Sequence, residues 1–398
     1  MISVADAQAH ILAQVATVAP PQIVALTGAL GRVLAEDVRA PIDVPPTDNS
    51  AVDGYAVAHV EMSVGGRRDL EVVGELPAGG VFTGAIGPGE ALRIMTGAPM
   101  PAGADTVYPQ EVVERAGRRI TVGPIERSVN TRRCGEDVRA GSVVLSAGCV
   151  LRPQELGVAA SLGLPQLLVR QRPRVAVLST GDEVVEPGDT RKPGQIFDSN
   201  RFSLHGLVEA AGGTVTDYGI VPDLHDILHA RLTEAARSSD IVLTSGGVSV
   251  GDYDLVKAVL QEAGGIDFWQ VAMQPGRPLA VGRIGAAHFF GLPGNPVASM
   301  LTFSLFVRPA LWKLAGRRDL FAPRFHAVAT EAMRKRTGRS EFKRGILSYV
   351  GDRWEVRTTG PQGSGILSSM AQADCFIVIE EERGDVQPGE RVWVELFQ

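Results

Sequence analysis

The chain has 398 residues, long enough for roughly two to three domains of ordinary size. Apolar residues make up 44% and charged residues 21%, and no apolar run approaches the ~20 residues that a membrane-crossing helix needs. A net charge of −6 argues against broad nucleic-acid binding, which requires a basic surface, but leaves room for an anionic small ligand in a local basic pocket.

The first residues, MISVADAQAHILAQVATV, lack a basic region, a continuous apolar segment and a small-residue cleavage site, so a cytoplasmic location and no membrane attachment are expected. Cys134, Cys149 and Cys375 are scattered, with no C-x-x-C pair, which argues against a disulfide framework and a structural zinc site. Ser3 with Asp6 starts a helical pattern whose apolar face carries Val4, Ala7, Ile11, Val15 and Val18, ended by Pro20 and Pro21. Next, PIDVPPTDNSAVDGYAV crowds prolines and then Asp48, Asn49, Asp53 and Gly54 into a turn-rich loop, where a domain boundary is expected. From about residue 70 to 138, short strands separated by glycine and proline indicate a small β domain. In it, Thr96 stands at a strand end, and NTRRCGEDVRAG, with Arg132, Arg133, Glu136 and Asp137, has the pattern of a solvated charged loop. A short helix over 153–163 then returns the chain to its beginning, making the first helical unit and residues 141–170 neighbours.

Residues 174–316 alternate strand candidates RVAVLST, TVTDYGIV, DIVLTSG and HFFGLPG with helices near 201–211, 224–237, 253–263 and 296–315. That alternation predicts a doubly wound α/β domain. After Pro323 five short strands predict a small C-terminal β-barrel or sandwich.

The chemistry concentrates in DIVLTSGGVSVGDYD and FFGLPGNP, where buried-strand patterns stop at glycines. Gly246, Gly247 and Gly251 let the backbone approach an anion, so the loop reads as a phosphate cradle; the alternative is a set of tight turns. Asp182, Glu183, Asp223, Asp252 and Asp254 follow strand ends that share one crevice in an open α/β sheet, and such carboxylates suit a magnesium-bound phosphate. Singly, each is equally a helix cap. His225 and His229 lie four apart, yet no third zinc ligand accompanies them. No Walker lysine motif or complete G-x-G-x-x-G stands between a strand and a helix. Cationic candidates are Arg277, Lys343 and Arg344, with Ser364 offering a hydroxyl.

The ordered motifs PPTDNSAVDGYAV, IMTGAPMPAGADTVYPQE, GEDVRAG, VAVLSTGDE, DSN, SGGVSVGDYD, QPGRP, GLPGNP and GSGILSSM span the chain. Through them it resembles the MoeA family, the molybdopterin molybdenumtransferases, related to the E domain of gephyrin. The resemblance implies four domains: 1–44 plus 141–172 as an N-terminal helical and extended domain, and 45–140 as an inserted β-rich domain. Residues 173–320 would form a MogA-like α/β domain and 321–398 a small barrel. It implies an elongated homodimer whose cleft joins one subunit's α/β domain to the other's inserted domain. The implied reaction transfers molybdate onto the dithiolene of adenylyl-molybdopterin, with Mg²⁺-dependent loss of AMP and handover of the product to other proteins of the pathway.

By the same resemblance, Asp53, Thr96 and Asp137 are the inserted domain's contribution to the cleft, and Glu183, Asp223 and Asp254 are acids of the α/β side that hold the metal. Gly246, Gly247, Ser249 and Gly251, with Asp182 and Asp252, would bind the substrate's phosphates, and Pro293 and Pro296 would shape the cleft. Arg277, Arg344 and Ser364 resemble a molybdate pocket, although many relatives read K-P-G-K-P where this chain has Gln274 and Arg277. Two rival readings are the adenylylation step of MogA-type enzymes and a non-catalytic scaffold like gephyrin's E domain.

Overall fold

A computed structural model describes residues 1–16, 19–246, 258–259, 261–262 and 264–397. The helix Val4–Gln14 begins at Ser3, whose Oγ accepts from the Asp6 N–H at 3.1 Å, satisfying one of the orphan donors of the first turn. Ala7, Ile11 and Val15 bury one face against the apolar core of the α/β domain. Polar bonds tie the same helix down: Gln8 Nε2 donates to the Leu305 carbonyl and Lys313 Nζ to the Leu12 carbonyl.

The chain then makes Pro21–Ala25, which pairs antiparallel with Gln166–Arg170, and Val38–Arg39, which pairs with Val143–Leu145. Between these return points lies a β-rich domain. Its sheet runs Thr106–Pro109, Gly54–Val57, Glu90–Ile94, Arg68–Leu76, Arg119–Val122 and Glu114–Ala116 in spatial order. Tyr55, Val57, Leu70, Val72 and Ile120 pack on one face, and Ala56, Leu76, Leu92, Ile94 and Val107 on the other. The sheet is therefore covered on both sides.

The α/β sheet runs Thr214–Val221, Arg174–Thr180, Ile241–Ser245, Ala287–Leu292, Pro278–Ile284 and Gly264–Gln270. The first four are parallel, and every residue of Ile241–Ser245 and Ala287–Leu292 is buried, as strands covered by helices on both faces must be. The last two are antiparallel additions that the sequence pattern does not announce. Gly264, Gly265 and Gly282 dilute their β-branched character, and a two-residue Gly285-Ala286 turn joins Ile284 to Ala287 without the helix expected between neighbouring strands. Helices Asn200–Ala210, His225–Ser238 and Pro296–Thr302 cover the sheet. The last continues through a π-helical turn, Phe303–Val307, into Arg308–Leu314. Of the helix expected over 253–263, residues 258–259 and 261–262 are helical and the remainder lies outside the described residues.

The C-terminal strands Arg324–Ala329, Ser340–Val350, Arg353–Thr358, Cys375–Ile379 and Arg391–Leu396 form a barrel, because Ser340–Val350 pairs with both Arg353–Thr358 and Cys375–Ile379 and so closes the ring. Met273–Gln274 adds to Ser340–Glu341 and joins barrel to α/β domain.

Candidate active site

The parallel strands Arg174–Thr180, Ile241–Ser245 and Ala287–Leu292 deliver their C-terminal ends to one side of the sheet, where a cleft of ≈ 360 Å³ opens. Gly246 fixes two of these ends together. Its φ is +93°, its N–H donates to the Leu292 carbonyl at 3.1 Å, and a Cβ there would lie 2.9 Å from the Thr180 carbonyl oxygen. Glycine alone satisfies both the backbone angle and the close approach. Ser179 and Thr180 line the cleft, and their buried hydroxyls have no hydrogen-bond partner among the described residues. Asn200 Nδ2 donates to Ser245 Oγ and to the Gly294 carbonyl, both at 2.7 Å, and so braces the floor from the start of the helix Asn200–Ala210.

The opposite wall is a strap in which Val184–Val185 pairs with Ile196–Phe197. It brings Glu183 to the cleft and leaves Ile196 and Phe197 about half exposed there, an apolar wall against which a planar ring can lie. Buried Arg201 anchors the strap. Its Nε donates to Asp198 at 3.0 Å, while its terminal nitrogens reach Asp217 on the neighbouring strand and Glu186 on the strap. Burial alone would lower the Arg201 pKa, but the Asp198 bond and the three surrounding carboxylates raise it overall, so the guanidinium stays charged.

A second cavity of ≈ 440 Å³ is lined by Gln274, Arg277, Arg339, Gln362, Gly363 and Ser364, among others. Arg277 is exposed at this surface and Ser364 half-buried. Arg344 is not there. It is fully buried, and its guanidinium donates to Ser369 Oγ and to the carbonyls of Pro361, Gln362 and Gly363 at 2.9–3.2 Å. Against the expectation that Arg344 faces an anion, four of its five guanidinium N–H donors hold the loop that carries Gln362, Gly363 and Ser364. The two cavities adjoin through this segment, since Gly365 and Leu367 line the first while the Ser364 carbonyl accepts from Val297 N–H at 3.1 Å.

In the inserted domain Asp53 accepts from the Thr96 N–H at 2.8 Å and from Thr96 Oγ1 at 2.7 Å. The hydroxyl bond, then the backbone bond, hold the Asp53 carboxyl below its ordinary pKa. Asp137 is exposed and lies in the same domain. None of these three residues lines either cavity. On the α/β side Glu183 and Pro296 line the cleft, Asp182 is exposed, Asp223 is half-buried and Pro293 is buried behind the strand end. Gly247, Ser249, Gly251, Asp252 and Asp254 lie outside the described residues. His225 and His229 stack at 6.5 Å, with His225 against Asp226 and Glu262. Among the described residues no three His, Cys, Asp or Glu side chains converge on a metal-sized site.

Family models match the chain in three consecutive pieces: the MoeA N-terminal region (domain I and II) over residues 2–163, a probable molybdopterin binding domain over 176–313, and the MoeA C-terminal region (domain IV) over 326–397. A protein named molybdopterin molybdenumtransferase from Haemophilus influenzae is 40% identical across 100% of this chain and 99% of its own length. The chain belongs to the MoeA family. Molybdopterin molybdenumtransferase 2 of Mycobacterium tuberculosis is 37% identical over 97% of both chains. A crystal structure of the molybdopterin biosynthesis MoeA protein from Pyrococcus horikoshii superposes with a TM-score of 0.87 at 32% identity, covering all of both chains.

Within this MoeA fold, residue patterns alone leave several cleft residues unassigned. Ser179, Thr180 and Asn200 stand inside quoted motifs, but only the parallel register shows that 179 and 245 are adjacent. Arg339 and Gln362 carry no sequence signal; the pairing of Met273–Gln274 with Ser340–Glu341 brings Arg339, and the Arg344 N–H donating to Gln362 Oε1 brings Gln362, to the cavity that Arg277 lines.

Proposed function

We propose that this MoeA-family chain is a molybdopterin molybdenumtransferase, joining molybdate to the dithiolene of adenylyl-molybdopterin and releasing AMP. The observation that carries the reading is the pairing of two adjoining cavities of different chemistry. One offers backbone, hydroxyls and an apolar wall, as a diphosphate-linked heterocycle needs; the other offers Arg277, Arg339 and Ser364, as a tetrahedral oxyanion needs. Substrate sulfurs at the boundary along 363–365 would meet the oxyanion held by the second cavity.

In this mechanism Thr180, Ser179 and the turn at Gly246 hold the phosphate oxygens, Ile196 and Phe197 flank the ring, and Arg201 keeps the strap closed over it. The donors around the cleft are oxygens, Glu183 above all, which suits Mg²⁺. Glu183, Asp223 and Asp254 would hold the ion, which when bound draws charge from the diphosphate bridge. Arg277 orients molybdate for the two dithiolene sulfurs, one molybdate oxygen leaving as water with the two thiol protons, and a separate water attacks the pyrophosphate so that its P–O–P bridge breaks to AMP and the pterin phosphate. By the family resemblance, Asp53, Thr96 and Asp137, which line neither cavity of their own chain, are assigned to the cleft of a second copy, making the working unit a homodimer. No helix of the described residues is long and apolar enough to cross a membrane, and the reaction is assigned to the cytoplasm, with the product passed to other proteins of the pathway.

The test supplies adenylyl-molybdopterin with molybdate and, separately, molybdopterin with ATP. Molybdenum-loaded product and AMP are expected only from the first mixture. Adenylylation in the second would support the MogA-type alternative, and inertness in both would support a scaffold.

A further inference from the structure

We propose that the seam between the Pro21–Ala25/Gln166–Arg170 pair and the α/β domain holds a single small inorganic anion of halide size, bound by Arg32, Arg170, Arg172 and Arg317. These four guanidinium-bearing residues line one cavity of ≈ 20 Å³, and no carboxylate lines it with them. A void of that size admits one water or one monatomic ion, since a water needs ~10–15 Å³, and it excludes a nucleotide or a pterin.

The charges are crowded and poorly compensated. Arg32 is 9% exposed; burial, then the charge of Arg172, lowers its pKa. Arg317 lies with its guanidinium 3.7 Å from the centre of the Trp312 ring, its Nε is buried without a hydrogen-bond partner among the described residues, and burial is again the main force lowering its pKa. Arg32 is the best satisfied of the four, donating to the Arg170 carbonyl at 2.7 Å and, with the Gln22 amide turned oxygen-first, from both terminal nitrogens to Gln22 Oε1, whereas among the described residues Arg170 reaches only the Ala35 carbonyl at 3.5 Å. The C-terminal ends of two helices, at Ala211 and Ala315, lie in the lining, the Ala211 carbonyl itself accepting from Trp312 Nε1 at 3.2 Å. Each contributes about −0.5 of an elementary charge, so together they offset roughly one of the four positive charges. Asp319 is the one carboxylate that acts appreciably on Arg317, and it stands outside the lining. A bound monovalent anion would offset a second charge and supply an acceptor for the orphaned Nε.

The site is remote in chemistry from the molybdate pocket, which is ≈ 440 Å³ and open. It ties Arg32, in the loop after Pro21–Ala25, and Arg170, at the end of that strand's partner, to Arg317 at the end of the α/β domain, so occupancy stiffens the seam. The full chain would be crystallised and soaked in sodium bromide, whose anomalous signal locates the ion. Unfolding would be followed in sodium chloride and in sodium gluconate at equal ionic strength, gluconate being too large for the void.

The parent should show bromide within contact distance of Arg32 and Arg317, and a higher first unfolding midpoint in chloride than in gluconate. Arg317→Gln should lose most of the chloride effect and gain stability in gluconate, because a like charge is gone. Arg172→Gln, at the exposed rim, serves if the first variant fails to fold, and should weaken the chloride effect several-fold. No bromide at the seam, an adventitious ion elsewhere only, or chloride and gluconate midpoints that coincide in the parent would overturn the proposal.

Discussion

Removing the Arg344 guanidinium while keeping the bulk, as Arg344→Met does, separates anion binding from loop support. The side chain is fully buried and makes four hydrogen bonds of 2.9–3.2 Å to Ser369 Oγ and to three successive carbonyls. Four charge-assisted bonds at ~1.5–3 kcal/mol each, less the several kcal/mol of desolvation relieved when a buried charge is removed, leave a net loss of about 3 kcal/mol. The loop bearing Gln362, Gly363 and Ser364 then loses its fixed position. Urea unfolding of the variant should show the stability loss, and steady-state assays should show a raised KM for molybdate. Arg277→Met, at an exposed residue, should raise the same KM with a stability change within ~0.5 kcal/mol. Arg344→Lys should rescue neither property, because an ammonium is a point donor and cannot span three carbonyls and a hydroxyl. An Arg344→Met enzyme with the parent's KM for molybdate, or full rescue by lysine, would refute the reasoning.

Gly246→Ala should cut activity at least tenfold and destabilise by ~1–2 kcal/mol or more, since it combines a φ of +93° with a 2.9 Å approach to Thr180; circular dichroism melts and turnover measure both. The Asp53 carboxyl, held below its ordinary pKa by the Thr96 hydroxyl and N–H, stays ionised to lower pH when folded than when unfolded. Its contribution is present above the unfolded pKa and lost as pH falls through the folded one. In Thr96→Val an NMR titration of Asp53 should move up toward the ordinary value. Buried His288 has its pKa pushed down to about 4, from 6.5, by burial and then by the charge of Arg283. Its neutral form contributes stability above pH 6.5, lost progressively as pH falls toward about 4, up to ~3 kcal/mol. His288→Gln should flatten that part of the stability–pH curve.

Much of the architecture is legible before any coordinates. The Ser3 cap and its apolar face, the four parallel strands and the five strands of the barrel follow from periodicities of 3.6 and 2 bounded by proline and glycine. The two antiparallel strands are hidden because glycine replaces β-branched residues where the backbones approach most closely: a Cβ on Gly282 would lie 2.0 Å from the Gly265 carbonyl oxygen. At the site, the glycine turn and Glu183 could be read locally, since their neighbours in sequence are their neighbours in space. Arg344 could not. An Arg beside a Lys in EFKRG has the pattern of a solvated turn, and only closure of the barrel shows it pointing inward at the loop 361–363. Arg339 lines the same cavity as Arg277 because Met273–Gln274 pairs with Ser340–Glu341, across a separation no local pattern carries.

The central claim, that the diphosphate and the oxyanion occupy neighbouring cavities divided by residues 363–367, is tested most directly by a crystal structure with adenylyl-molybdopterin and molybdate. The account predicts phosphorus density within hydrogen-bonding reach of Thr180 and Gly246, the ring against Phe197, and molybdenum beside Arg277 and Ser364. Phosphates bound away from the ends of the parallel strands, or molybdenum remote from Arg277, would contradict it.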